Sequence, residues 1–157
     1  MEILEHQVLE MKNVLSVRKK MDKNEHKRVS LEITELLKEN GADKVGPPVT
    51  ATYSVEGGPK EPIIDCEILI PLNKIIEVPQ GFVFKDRFLL VNAVKVTHTG
   101  DPSSIHKTLD ELNHYVLEHR LLPISVAYNV ATKEPESVFD VNNTEIDIYV
   151  SVSPNIV

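Results

Sequence analysis

The sequence is poor in cysteine and in aromatic residues. It has one cysteine, Cys66, no tryptophan, four tyrosines and four phenylalanines. A single cysteine excludes an internal disulfide and any cysteine-rich metal site. Cys66 lies in an apolar stretch typical of a strand, where a small buried side chain is its ordinary role. No apolar run reaches the roughly 20 residues that a membrane-spanning helix needs.

Basic residues are outnumbered, because 24 acids against 17 bases give a net charge of −7. An acidic chain binds nucleic acid only where its bases cluster. The basic cluster, within residues 18–28, has no aromatic or base-reading side chains between its lysines and arginines. This pattern is typical of a solvated strand end and helix face. We therefore expect no nucleic-acid partner.

Targeting signals and common cofactor motifs are also missing from the sequence. The N-terminus is acidic and alternating, without the basic start and apolar centre of a signal peptide, so we expect a cytoplasmic protein with no membrane partner. Histidines in the second predicted helix lack the i, i+4 spacing of a helical zinc site. Because there is also no phosphate-binding loop and no dinucleotide motif, we predict no metal and no cofactor.

What the sequence does contain is a repeated segment. Residues 48–55 read PVTATYSV, and about half the chain later residues 123–130 read PISVAYNV. The prolines, Tyr53 and Tyr128, and the flanking apolar and hydroxyl residues correspond. The stripes of apolar residues in the two predicted helices also correspond. Matches at a fixed long offset indicate a duplicated unit.

Apolar periodicity predicts the same order of elements, β-α-β-β, in both halves. Residues 14–21, 49–55 and 63–72 are predicted strands, with an amphipathic helix from about 22–24 to 40–41. In the second half the predicted strands are 88–98, 124–130 and 144–152. The second helix runs from the cap at Asp101 to about Arg120, and residues 131–143 form a polar loop.

The predicted fold class is therefore α+β, with two tandem β-α-β-β units related by a pseudo-twofold axis. The 157 residues would form a single domain made of two repeats, about 1–73 and 84–154, joined by a linker at about 74–83. Each half is too short to bury much surface alone, so a shared arrangement is favoured. Each antiparallel sheet would carry a helix on one face, and the opposite faces would form a groove between the halves.

Strand alternation nominates the side chains of that groove. The apolar residues 66, 68, 70 and 72 should meet the first helix, which leaves Asp65 and Glu67 on the opposite face. In the last strand Glu145, Asp147 and Tyr149 point away from the second helix in the same way. By the same alternation, Tyr53 and Tyr128 are assigned to the helix-side core. The alternative interpretation of the acids is a solvated sheet face with no site, because antiparallel sheets often expose one polar side.

Several motifs resemble the GyrI-like effector-binding domain, also known as the effector-binding fold of AraC-type and MerR-type regulators. The segment His98-Thr99-Gly100 is similar to that family's H-x-G turn, and Thr144-Glu145-Ile146 to its terminal strand. Residues 67–71, EILIP, resemble its E-x-x-x-P ending. Two further segments, 109–112 and 127–130, follow in the same order along the chain as in that family. Together, the resemblance covers about residues 14–152.

The resemblance implies a tandem fold whose groove accepts small molecules, here as a stand-alone copy without a DNA-binding domain. It places the groove acid at Glu145, whereas the internal repeat places the equivalent of Glu67 at Asp147. Few aromatic residues argue against a broad multidrug site. The leading hypothesis is a non-catalytic protein that binds a small organic molecule, with an organic cation as one candidate, through Asp65, Glu67, Glu145, Asp147 and Tyr149.

Two alternatives stay open at this point. The first is a protein-interaction module that docks a partner protein in the groove or at a sheet edge. The second is a hydrolase of small molecules in which Glu145 or Asp147 is the base and Tyr149 orients the substrate.

Overall fold

The computed structural model describes residues 2–133 and 144–155, and the chain divides into two units. The first unit is Met11–Phe88, and the second is Leu89–Val157 together with Met1–Glu10. In chain order the elements are β1 (Ile3–Met21), α1 (Lys23–Glu39), β2 (Val49–Glu56), β3 (Ile63–Pro71), β4 (Phe82–Thr99), a 3-10 turn (Pro102–Ser104), α2 (Ile105–Glu118), β5 (Tyr128–Lys133) and β6 (Glu145–Ser151). No helix of the described part is long and apolar enough to cross a membrane.

In the first unit, β3 pairs antiparallel with both β1 and β2. Helix α1 begins after Asp22, whose carboxylate accepts a hydrogen bond of 2.7 Å from the amide of Glu25. It ends before Gly41, which has φ +57° and supplies the left-handed residue that follows many helices. The buried stripe Val29, Ile33 and Leu37 packs on the helix-facing residues of β1 and β3.

The second unit has the same internal pairing, with β6 antiparallel to both β4 and β5. Leu112 and Val116 of α2 pack on Ile148, Val150 and the neighbouring apolar residues of β4. The turn into α2 is fixed by buried His98. Its Nδ1 lies 2.6 Å from the hydroxyl of Thr108 and its Nε2 lies 2.8 Å from the carbonyl of Asp101.

The structure confirms the α+β class and the predicted order of strands and helices. The strands β1 and β4 are longer than predicted, because β1 starts at Ile3 and β4 starts at Phe82, within the stretch assigned to the linker. Strand β5 starts later than predicted, at Tyr128, and takes in residues 131–133 of the predicted loop. The rest of that loop lies outside the described residues. The pseudo-twofold axis, the repeat boundaries and the groove stay predictions.

Candidate functional site

The face of the first unit's sheet that lies opposite α1, called here the acid face, carries a buried carboxylate. Glu67 is 7% exposed. Its side chain accepts three hydrogen bonds, from Ser16 Oγ at 2.7 Å, from Lys85 Nζ at 2.9 Å and from Tyr53 OH at 3.0 Å. A buried charge is tolerated only when such donors replace the water it has lost. The interpretation of this face as a solvated surface is therefore wrong at Glu67.

The donors also decide the protonation state of Glu67. Burial raises the pKa of this carboxyl, but the hydrogen bonds from Ser16, Lys85 and Tyr53 and the charge of Lys85 lower it by more. The pKa of Glu67 therefore lies below its ordinary value, and the group is a carboxylate at neutral pH. A carboxylate with a lowered pKa is a weak base.

Asp65, two residues before Glu67 on β3, is paired with Arg18 of β1. The Nε and Nη2 atoms of Arg18 each donate to one carboxylate oxygen of Asp65 at 3.2 Å, which gives a forked pair. The same guanidinium lies over the ring of Tyr53, with 3.5 Å from Cζ to the ring centroid. One planar cation thus contacts a carboxylate and an aromatic ring together.

The placement of Tyr53 in the helix-side core is wrong. Strand β2 pairs Val49 with Leu69 and Ala51 with Glu67, so this set of side chains shares the acid face. A register shift between Thr52 and Ser54 then breaks the alternation. The prediction failed because it assumed that apolar residues must face the helix. The acid face is itself buried and apolar around Glu67, with Leu69, Val49 and Ala51 almost inaccessible.

The second unit carries a similar arrangement on the face opposite α2. Asp147 is buried, accepts a hydrogen bond of 2.7 Å from Thr97 Oγ1, and lies 3.5 Å from Lys95 Nζ. The same ammonium lies 5.6 Å from the ring centroid of Tyr149, which is also buried. Burial lowers the pKa of Lys95, but Tyr149 and Asp147 raise it by more, so this lysine stays charged.

The remaining predicted residues of the second unit lie near that cluster. Glu145 is half-buried, and its carboxylate accepts a hydrogen bond of 3.2 Å from Thr132 Oγ1. Tyr128 is paired across the strands with Tyr149, and Val130 with Asp147. Tyr128 therefore lies on the same face as the acids, and its assignment to the helix-side core is also wrong.

The structure brings together the predicted pairs Asp65 with Glu67 and Asp147 with Tyr149, each within its own unit. It adds partners that the sequence analysis missed, namely Ser16, Arg18, Lys85, Lys95 and Thr97. Arg18 was assigned to a solvated basic run, and Lys85 fell outside every predicted element, just before the predicted strand 88–98. A signal for Arg18 existed in the alternation of β1, which places Ser16 and Arg18 on one face, but their partners on β3 depend on a register that the sequence does not reveal.

A cleft of about 800 Å³ lies elsewhere in the first unit, on the helix side near the start of α1. Its floor includes Met21, Ile64 and Cys66, and none of the predicted acids on the acid face lines it. Its lining includes Asp22, the cap of α1, but not Arg18, Asp65, Glu67 or Lys85, so the candidate site lies outside it. Within residues 2–133 and 144–155, no group of histidine, cysteine and acidic side chains is arranged to hold a metal ion.

Comparisons with solved structures identify the fold. The chain is similar to EcmrR in a DNA complex, with a TM-score of 0.74, 16% identity and 96% of this chain covered. This chain spans 57% of that EcmrR chain and 99% of the isolated EcmrR C-terminal domain, for which the TM-score is 0.72. A protein from Listeria innocua described as a hydrolase is similar at a TM-score of 0.63 and 14% identity, with 97% of this chain and 91% of that chain covered.

No protein-family model matches the sequence, and no curated protein matches it. The structural similarity nevertheless supports the resemblance that the sequence motifs indicated at the level of the fold, which this chain shares with the C-terminal domain of EcmrR. At 14–16% identity the similarity establishes the fold alone, so a function has to be inferred from the side chains of the site.

Proposed function

We propose that the chain is a small-molecule-binding protein of the GyrI-like type, whose ligand is an organic cation held by the acids of the sheet faces opposite the helices. Asp65 and Glu67 would hold it in the first unit, and Asp147, Tyr149 and Glu145 in the second. The observation that carries this proposal is the guanidinium of Arg18, which lies 3.5 Å from the centroid of Tyr53 and is hydrogen-bonded to Asp65. Recognition of organic cations commonly combines an aromatic ring with a nearby negative charge.

Binding is favoured over hydrolysis by the engagement of the acids. A general base needs a free lone pair within reach of a water or a substrate proton. Glu67 accepts three hydrogen bonds and has a lowered pKa, and Asp147 is engaged by Thr97 and Lys95. Glu67 is thus held as a carboxylate and the oxygens of Asp147 already accept contacts from the protein, which suits attraction of a cation better than transfer of a proton.

The proposal is tested by thermal unfolding with and without benzyltrimethylammonium, an aromatic quaternary cation, and by calorimetric titration. A ligand that binds only the folded state adds about 2.7 kcal/mol at a hundred times its dissociation constant, so the unfolding temperature should rise with concentration. Benzyl alcohol, which has the ring without the charge, should give a much smaller rise.

Matched variants locate the binding. We expect Glu67→Gln and Asp147→Asn to reduce the ligand-induced rise, because each removes a negative charge from an acid face. The control is Glu32→Gln, which removes the same charge from an exposed position on α1. If no organic cation stabilises the wild-type protein, or if both acid-face variants respond as the control does, the proposal is wrong.

A further inference from the structure

Arg18 has the position that a cationic ligand of the first unit's acid face would take. Its guanidinium is planar and forked, so it matches both oxygens of Asp65 while it stacks on Tyr53. Tyr53 in turn donates its hydroxyl proton to Glu67. The three contacts define a site for one flat cation: a ring on one side, a carboxylate at the edge, and a second carboxylate behind the ring's hydroxyl.

The second unit shows a related arrangement, so a cation next to an aromatic ring and an acid is not peculiar to Arg18. Lys95 points its ammonium towards the ring of Tyr149 and the carboxylate of Asp147. In both units, therefore, a cation of the chain itself lies next to the aromatic ring and the acid. The lysine lacks the planar fork of arginine, so the first unit gives the sharper definition of what fits.

Arg18 is the most solvent-accessible charged group in this arrangement. Its side chain is 50% exposed, whereas that of Asp65 is 19% exposed and that of Glu67 is 9% exposed. The cation is thus the most exposed of the three charged side chains. Rotation of the arginine side chain into water would uncover Tyr53 and Asp65 without any change in the backbone.

We infer that Arg18 is a tethered stand-in for the ligand, and that the first unit takes planar forked cations, namely amidinium or guanidinium groups on an apolar body. This inference rests on the proposed function and names its ligand class and its specificity-determining residue. Arg18 competes with the ligand, so the apparent dissociation constant is the intrinsic one divided by the fraction of molecules with the site uncovered. An arginine that covers the site about nine-tenths of the time corresponds to an approximately tenfold tightening when it is removed.

The test is titration calorimetry with benzamidine, which has the planar fork, against benzamide, which is its neutral counterpart, and benzyltrimethylammonium, which is a cation without a fork. Arg18→Ala should bind benzamidine about tenfold more tightly than the wild-type protein does. Arg18→Gln, which keeps most of the length, should behave similarly. Lys20→Ala is the control, because it removes the same charge from the same strand at an exposed pair with Glu56. The double variant Arg18→Ala with Asp65→Asn should lose the gain.

The outcomes separate this inference from the proposed function. If the wild-type protein binds cations and Arg18→Ala binds them no more tightly than Lys20→Ala does, the function stands and the inference is overturned. The inference is also overturned if Arg18→Ala prefers benzyltrimethylammonium to benzamidine. If Arg18→Ala binds benzamidine while the wild-type protein binds no cation at all, Arg18 fills the site permanently, and both the proposed function and the inference that Arg18 exchanges with a ligand are overturned. Absence of binding by every variant overturns both.

Discussion

Replacement of Lys85 by methionine tests whether the buried carboxylate of Glu67 depends on its ion pair. The change removes the contact of 2.9 Å between Lys85 Nζ and Glu67 Oε2 and keeps most of the side chain's apolar length. Loss of one partner of a fully buried pair costs about 3–5 kcal/mol, and an exposed pair contributes about 0–1 kcal/mol. Because the lysine side chain is about one-third exposed, we expect a loss of about 1–2 kcal/mol in the free energy of unfolding at pH 7.

The pH dependence of that loss follows from the pKa of Glu67. In the wild-type protein this pKa is lowered on folding, so Glu67 stabilises the fold above its ordinary pKa and loses that contribution as the pH falls through the folded value. Without Lys85, burial still raises the pKa of Glu67 and fewer groups oppose it. The difference between wild type and Lys85→Met should therefore be largest at neutral pH. It should shrink as the pH falls below the ordinary glutamate pKa of about 4.3, and it should vanish only below the lowered pKa of Glu67 in the wild-type protein.

Urea unfolding followed by circular dichroism at several pH values between 3.5 and 7 measures this difference. Lys20→Met is the matched control, since it removes the same charge from an exposed pair and should shift the midpoint less. The reasoning is refuted if Lys85→Met is no less stable than Lys20→Met at pH 7. It is also refuted if the deficit stays constant down to pH 3.5.

Two further predictions concern single groups in the first unit. Tyr53→Phe removes the hydroxyl that donates to Glu67 and should lower the free energy of unfolding by about 1 kcal/mol. Urea unfolding measures this loss, and an unchanged midpoint would mean that the hydrogen bond does not stabilise the fold. Burial raises the pKa of the Cys66 thiol, so N-ethylmaleimide should label it more slowly at pH 7 in the folded protein than in urea. Mass spectrometry measures both labelling rates, and equal rates would contradict the placement of Cys66.

The sequence was sufficient to predict the elements and one face of each sheet. Helical periodicity placed Val29, Ile33 and Leu37 against the sheet, because a stripe of that spacing leaves a helix little choice of buried face. Strand alternation correctly gave Ile68 and Ile70 to the helix side and their neighbour Glu67 to the other. These are inferences within one element, where the period alone decides which side chains lie together.

Relations between elements were not available in the same way. The strand register decides which residue of β1 lies beside Glu67. The backbone of Arg18 is opposite that of Glu67, and no local sequence pattern predicts this alignment. Lys85 was missed because the stretch around Pro79 and Gly81 is typical of a loop, although a strand begins at Phe82. The cations of the candidate site therefore escaped the sequence analysis, while its acids did not.

That asymmetry matters for how the site works. A sequence that shows two acids on each sheet suggests a negative surface without paired cations, to which a ligand cation would bind directly. The acid face is instead buried and apolar around Glu67, and in such surroundings a charge persists only with partners. On the proposed function, a cation that binds Asp65 would replace Arg18, so its affinity would be the difference between two pairings of the same carboxylate. Recognition at this face would then be an exchange reaction, in which geometry such as the planar fork discriminates between ligands more than charge does.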